Sequence, residues 1–301
     1  MKLAIDTYCY HRYFGEVYPL IERDPGSRMT LADALENAHR LGVEGVSLES
    51  CFFTATDARS LARLREQLDG YGFERVWAWG HPSGLRSGTD PEAAKDLVRH
   101  IDVAKAIGAD VMRICCGGRR TRPASWDEHK AQLVPMLREV VAAAEDRGVV
   151  LAIENHIDLL ADELVEIIET IASPNLGVCL DTANNLRILE DPMAAIRTLV
   201  PYARASHIKD VTAYRGSPRE FSFWPSVPLG RGLIDIRETV RLLREANYDG
   251  LLALEIDYLH PAYGEDAGPA IEESIEYLRG LLEAPAASAA VVAEPLRSAA
   301  R

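Results

Sequence analysis

The chain has 301 residues, enough for one large α/β domain. Its 33 basic and 46 acidic residues give a formal net charge of −13, which argues against nucleic acid or another polyanion as a partner. The longest apolar runs are strand-sized, too short to cross a membrane, and no charged-then-apolar leader is expected at the N-terminus. The five cysteines are an odd number without CxxC spacing and sit mostly in strand-like runs, as buried thiols of a reducing compartment do. The expectation is a soluble cytoplasmic protein.

Strand-like and helix-like segments then alternate eight times. The pattern predicts strands over 2–8, 43–49, 75–81, 109–115, 149–156, 176–182, 203–209 and 250–257. Helices are predicted over 30–41, 58–71, 90–107, 126–147, 160–172, 192–202, 235–247 and 266–283. Thr30, Asp90-Pro91 and Asp191-Pro192 read as helix starts, and Gly42, Gly72, Gly108 and Gly148 as helix ends. Eight β/α units over residues 1–283 fit a single-domain α/β fold, a (β/α)₈ TIM barrel. A doubly wound sheet is the rival, but no glycine-rich dinucleotide loop follows the first strand. The Ala/Pro-rich segment 284–301 is expected to be a flexible tail.

Four of the strands end on a titratable residue: Glu154, Asp181, His207 and Glu255. A buried carboxylate is costly without a partner, and barrel enzymes gather their chemistry at the C-terminal strand ends. Three carboxylates and one imidazole suit one hard or borderline divalent ion; Mn²⁺ is favoured, with Mg²⁺, Co²⁺ or Zn²⁺ as alternatives. Strand alternation sets His156 on the side of Glu154, where it is a candidate general base, and Lys209 on the side of His207. Lys209 could neutralise a developing enolate or simply pair with Asp210 or Asp235. Arg113, an arginine on a strand, needs a carboxylate or a ligand, and Glu49 at the end of strand two could be that partner or could bind sugar hydroxyls.

Other expected substrate contacts are Trp79 and His81, as a stacking platform with a polar tip, Asn184 after the Asp181 ligand, and His11 in the Tyr/His-rich first loop. The long segment 212–234, with Tyr214, Phe221, Phe223 and Trp224, is expected to be a lid or a docking surface.

The order ENH (154–156), LDTANN (180–185), SHIKD (206–210) and LEID (254–257), with PLGRGLIDI over 228–236, resembles the xylose isomerase-like barrel superfamily of sugar-phosphate isomerases, ketose 3-epimerases and inosose or 3-dehydroshikimate dehydratases. That resemblance implies that Glu154, Asp181, His207 and Glu255 share one divalent ion and that the chemistry runs at a carbon acid beside a carbonyl. The opening IDTYCYHRYFGE and the ENH motif look most like the catalytic subunits of bacterial C-glycoside deglycosidases, which cleave the carbon–carbon bond of 3-oxo-C-glycosides and work with a smaller subunit. The implied partners are a sugar or glycoside substrate and a second subunit or a further copy of the chain. The segment IKDVTAYR after His207 lacks the cysteine-asparagine-arginine stretch of ketose 3-epimerases. Epimerisation needs two facing acid/base groups, for which Glu154 and Glu255 could serve, but a dedicated His156 fits elimination with one principal base, so lyase chemistry is preferred. A sugar-binding barrel without catalysis is the remote alternative.

Overall fold

In the computed structural model residues 1–18 and 21–284 are described, so the expected tail lies outside the described residues apart from Ala284. Eight parallel strands close into a barrel in the order β1 (Lys2–Asp6), β2 (Gly45–Glu49), β3 (Glu74–Ala78), β4 (Val111–Ile114), β5 (Val150–Glu154), β6 (Leu176–Asp181), β7 (Ala203–Ile208) and β10 (Leu251–Leu254), which pairs back to β1. The long segment after β7 contributes a two-stranded antiparallel ribbon, β8 (Asp210–Val211) with β9 (Ser226–Val227). The helices are α1 (Leu31–Arg40), α2 (Ala58–Tyr71), α3 (Pro91–Ile107), α4 (Trp126–Arg147), α5 (Ala161–Ile171), the single-turn α6 (Asn184–Arg187), α7 (Pro192–Leu199), α8 (Ile236–Glu245) and α9 (Gly268–Glu283). None is long and apolar enough to cross a membrane.

The expected punctuation is where the sequence put it. Thr30 and Asp33 form a reciprocal capping box, and the Asp90 and Asp191 carboxylates accept from backbone N–H groups at the starts of α3 and α7. Caps of this kind are each worth about 1 kcal/mol. Gly72, Gly108 and Gly148 close α2, α3 and α4 in left-handed backbone.

Two hydrophobic layers follow from the strand alternation. The outward residues join the helices in one large core that includes Leu48, Trp77, Met112 and Ile153. The inward residues at the floor are small: Ala4, Val76, Ala152, Cys179, Ala205 and Ala253, with Leu251. Two residues further along each strand the same inward direction carries Asp6, Glu154, Asp181, His207 and Glu255. The barrel is therefore sealed below by small apolar groups, and its charge is confined to the C-terminal mouth.

The first strand is shorter than the predicted 2–8. Asp6 Oδ1 accepts the Tyr8 N–H at 2.6 Å and starts a 3₁₀ helix, Thr7–Phe14, that turns the chain across the mouth.

Candidate metal centre

Glu154, Asp181 and His207 are all buried, and one potential ligand atom from each lies within 4.8 Å of the others. Glu255 completes the expected four. Its Oε2 lies 3.0 Å from His207 Nδ1, while Glu154 Oε2 lies 3.8 Å from the same nitrogen. On the other side of the ring, Asp6 Oδ2 approaches His207 Nε2 at 3.4 Å.

The neighbouring sequence holds these groups in place. Asn155, whose side chain points away from the mouth, clamps the next strand: its Nδ2 donates to the Asp181 carbonyl at 2.7 Å and its Oδ1 accepts the Asp181 N–H at 2.8 Å. Asp181 Oδ1 accepts the N–H groups of Ala183 and Asn184, both at 2.8 Å, which leaves Oδ2 for the centre. Asn184 Nδ2 donates to Glu154 Oε1 at 2.8 Å. Arg113 bridges the Glu49 carboxylate and Glu154 Oε2, the latter at 3.2 Å.

Lys209 is 2% exposed, and its ammonium touches three carboxylates: Asp257 at 2.8 Å, Asp181 at 3.1 Å and Glu255 at 3.2 Å. Burial would push its pKa down, but these carboxylates drive it well above the ordinary lysine value, so it stays charged.

The donor set fits a divalent cation on two grounds. Asp181 Oδ2, Glu255 Oε2 and both ring nitrogens of His207 are buried with no well-directed hydrogen bond, only the charged approaches of Lys209, Asp6 and one another. The mouth also buries six carboxyl groups (Asp6, Glu49, Glu154, Asp181, Glu255 and Asp257) against three permanent cations (Arg113, Arg187 and Lys209), more acids than those cations can answer. Oxygen and imidazole donors without a thiolate suit the hard to borderline divalent ions.

A family model described as xylose isomerase-like TIM barrel matches residues 35–281. The chain belongs to that family. It is 27% identical over 247 residues to the 3-oxo-isoapionate decarboxylase of Pectobacterium atrosepticum, an alignment covering 80% of this chain and 81% of the relative. It is 22% identical over 284 residues to the inosose dehydratase of Clostridium beijerinckii, covering 84% and 88%. The crystal structure of the IolI protein with a bound zinc atom superposes with a TM-score of 0.71 at 16% identity, covering 94% of this chain and 98% of that one, a likeness of fold.

Within this xylose isomerase-like barrel, the remaining sequence-predicted residues divide into those at the mouth and those turned elsewhere. His156 is half-buried and its Nδ1 lies 3.2 Å from the Gly117 carbonyl. That contact calls for an N–H at Nδ1, which in a neutral ring puts the lone pair on Nε2. Arg113 and Glu49 form the buried pair that the sequence allowed. Burial, opposed by Arg113, pushes the Glu49 carboxyl up to about 8. Lys209 is at the mouth, but its partners differ from those expected. Asp210 instead accepts the backbone N–H groups of Gly230, Gly232 and Ile234, and Asp235 caps α8.

Trp79 is a correction. It shares a strand face with Trp77, as alternation demands, but that face looks outward: Trp79 Nε1 donates to Asp96 and Trp77 Nε1 to His100, both on α3. Trp79 is 1% exposed and packs in the strand–helix layer, so it is no free stacking platform. His81 lies past the strand end, half-buried and stacked on Trp79 at 5.1 Å. Asn184 is occupied by Glu154 and by Arg187, whose Nη1 donates to its Oδ1 at 2.6 Å. His11 is 2% exposed, with one ring nitrogen 2.9 Å from the Tyr8 carbonyl and the other 3.0 Å from the Glu22 carboxylate, so neither nitrogen is free for a substrate.

The segment 212–234 reaches over the mouth. Phe221 stacks on Tyr18 at 5.1 Å and lies under the Arg187 guanidinium at 4.1 Å. Tyr214 is the exposed aromatic of the segment, edge-on to His260.

Sequence reasoning missed three mouth residues. Asp6 closes LAID at the end of β1, the same signal that marked Glu154, Asp181 and Glu255. Asp257 follows Glu255 by two and so faces the same way; it holds Lys209 and Arg187, the latter at 2.9 Å. Arg187 sits in α6, one turn that no periodicity could reveal.

Proposed function

We propose that this chain is a divalent-metal-dependent enzyme that removes a proton from the carbon next to a carbonyl of a sugar or keto-sugar and expels the group on the β carbon. The finer reading is a C-glycoside deglycosidase acting on a 3-oxo-C-glycoside, with Mn²⁺ as the favoured ion. The observation that carries the proposal is the juxtaposition of a buried, partner-poor donor set (Glu154, Asp181, His207, Glu255) with an imidazole whose Nε2 is left free. Glu154, Asp181, His207 and Glu255 would hold the ion, which when bound supplies a Lewis acid for a carbonyl or hydroxyl oxygen.

The protein's own groups would do the rest. His156 Nε2 takes the proton, and Nδ1–H donation to Gly117 keeps the ring in the tautomer that allows it. Arg113 and Asn184 orient Glu154, and Lys209 spaces Asp181 from Glu255. Phe221 and its segment would close the mouth and exclude water. Two relatives support this class of chemistry by name: a dehydratase loses water, and a 3-oxo acid decarboxylase leaves carbanion charge beside a carbonyl.

Turnover of a 3-oxo-C-glycoside and of an inosose by Mn²⁺-loaded protein tests the reading, with His156→Gln as the control. Elimination product from the wild type and a loss of about 10²-fold or more in the variant is the expected outcome. Solvent deuterium entering recovered substrate with no product released would favour an epimerase. Undiminished turnover by His156→Gln would remove the base assignment.

A further inference from the structure

Beside the mouth, between the loops that follow β4, β5, β6 and β7, lies a cavity of about 690 Å³ walled in part by Arg119, Arg122, Arg187, Arg219 and Asp158. None of the four metal-centre residues lines it. Four guanidiniums around one space are unexpected in a chain of net charge −13. Two are already committed: Arg122 forks onto Glu163 at 2.6 and 2.7 Å, and Arg187 is held by Asp257. The other two are not. Arg119 donates to the Arg187 carbonyl at 2.9 Å, and among the described residues neither Arg119 nor Arg219 forms a salt bridge. Arg119 is held below its ordinary pKa by burial and by the guanidiniums of Arg187, Arg219 and Arg120, against the pull of Glu220. Arg119 and Arg219 thus line the cavity without a carboxylate bonded to either guanidinium.

Asp158 supplies the second observation. It is 1% exposed, and neither carboxylate oxygen has a hydrogen-bond partner, although Arg122 takes its backbone carbonyl. A buried carboxylate in that state is an acceptor without a donor.

We infer that this cavity is a subsite for an anionic polyol, whose carboxylate or phosphate is gripped by Arg119 and Arg219 while a hydroxyl donates to Asp158. The inference rests on the reading of the barrel as a sugar-active enzyme and deepens it by adding a charge to the substrate. A guanidinium matches an oxyanion with paired N–H donors, and a sugar hydroxyl is the donor that Asp158 lacks. The volume lies within the about 300–1,000 Å³ usual for small-ligand sites. Arg187 ties the cavity to the metal centre, because its partner Asp257 also holds Lys209. A single ligand could thus be anchored by its anionic end here and reach the mouth with its reactive end.

Isothermal titration of the Mn²⁺-loaded full chain with sodium D-gluconate, D-glucose 6-phosphate and D-glucose tests this. One anion should bind at least ten times more tightly than glucose: gluconate would identify a carboxylate as the group recognised, the phosphate ester a phosphate. Arg219→Gln, at an exposed position that folding does not depend on, should weaken the preferred anion severalfold, and Arg119→Gln/Arg219→Gln more than tenfold. Asp158→Asn should weaken gluconate but not glutarate, which has no hydroxyl. Asp181→Ala, which disables the metal centre, should leave anion binding intact. If that variant lost it, or if the double arginine variant kept it, the cavity assignment would fall. Equal binding of glucose and both anions would overturn it as well. Retained anion binding in a protein without turnover would refute the enzyme reading alone.

Discussion

Lys209 is the interaction on which the mouth depends most, and Lys209→Met isolates its charge while keeping most of its volume. The ammonium is 2% exposed and lies within 3.2 Å of Asp257, Asp181 and Glu255. Removing one partner of a buried ion pair costs about 3–5 kcal/mol, because the remaining charge is left uncompensated. For a chain of 301 residues the unfolding entropy is about 0.6 kcal/mol per kelvin, so the variant should melt about 5–8 °C below wild type in EDTA. Two of the three stranded carboxylates, Asp181 and Glu255, are also proposed metal ligands. Mn²⁺ should therefore rescue the variant more than it stabilises wild type, for which saturation at a hundred times Kd gives about 2.7 kcal/mol. Calorimetric melts of both proteins with EDTA and with Mn²⁺ measure this directly. A melting point within about 1 °C of wild type in EDTA, or equal metal-induced shifts in the two proteins, would refute the reasoning.

Three further outcomes are expected. Wild-type protein should retain one divalent ion per chain by elemental analysis, and Asp181→Ala none while keeping its barrel by circular dichroism; stoichiometric metal in the variant would count against the ligand set. Asp158, pushed by burial up to about 6, binds its proton more tightly folded than unfolded, so its ionisation costs stability as pH rises from about 4 to 6, by about 3 kcal/mol in full. Asp158→Asn should accordingly gain stability over wild type above pH 6 and gain nothing below pH 4, and a gain that did not vary with pH would contradict this. Phe221→Ser, which removes the contacts with Tyr18 and Arg187, should lower turnover at unchanged oligomeric mass, whereas a change of mass would make the segment an interface between chains or subunits.

The fold was legible because strand ends and helix caps are local signals. Thr30, Asp90 and Asp191 each act within one turn, and Glu154, Asp181, His207 and Glu255 break apolar runs whose period is unambiguous. Which face of a strand looks inward is a relational property, and there the reading of β3 failed. Trp77 and Trp79 do share one face, yet the inward register belongs to Val76, Ala78 and Gly80. The small size of those residues was the available clue: a Cβ on Gly80 would lie 2.9 Å from Glu49 Oε2, so that side of β3 has no room for an indole. Asn184 and His11 show a different limit. Both are polar residues in short helical turns near the mouth, but their partners, Glu154 with Arg187 and Tyr8 with Glu22, are fixed by chain paths that no spacing encodes. The two-residue strands β8 and β9 and the single turn α6 are too short to carry a period at all.

The charge balance of the mouth connects these observations. A barrel floor of Ala4, Ala152, Cys179, Ala205 and Ala253 leaves no polar partner below the strand ends, so every charge above it must be answered laterally. Arg113 answers Glu49 and Glu154, Arg187 answers Asp257, and Lys209 is divided among Asp181, Glu255 and Asp257. The shortfall falls on the residues around His207, where Asp6, Glu154 and Glu255 approach one imidazole. Burial pushes the His207 pKa down, but the neighbouring Cys179 thiol and the carboxylates of Glu255 and Asp6 hold it well above its ordinary value. A proton on His207 and a cation at the centre are thus alternative answers to the same excess of negative charge. Metal uptake should therefore release a proton, and the apparent affinity should fall as pH is lowered. Potentiometric titration during Mn²⁺ addition would detect that release, and uptake without it would mean that the imidazole is not a ligand.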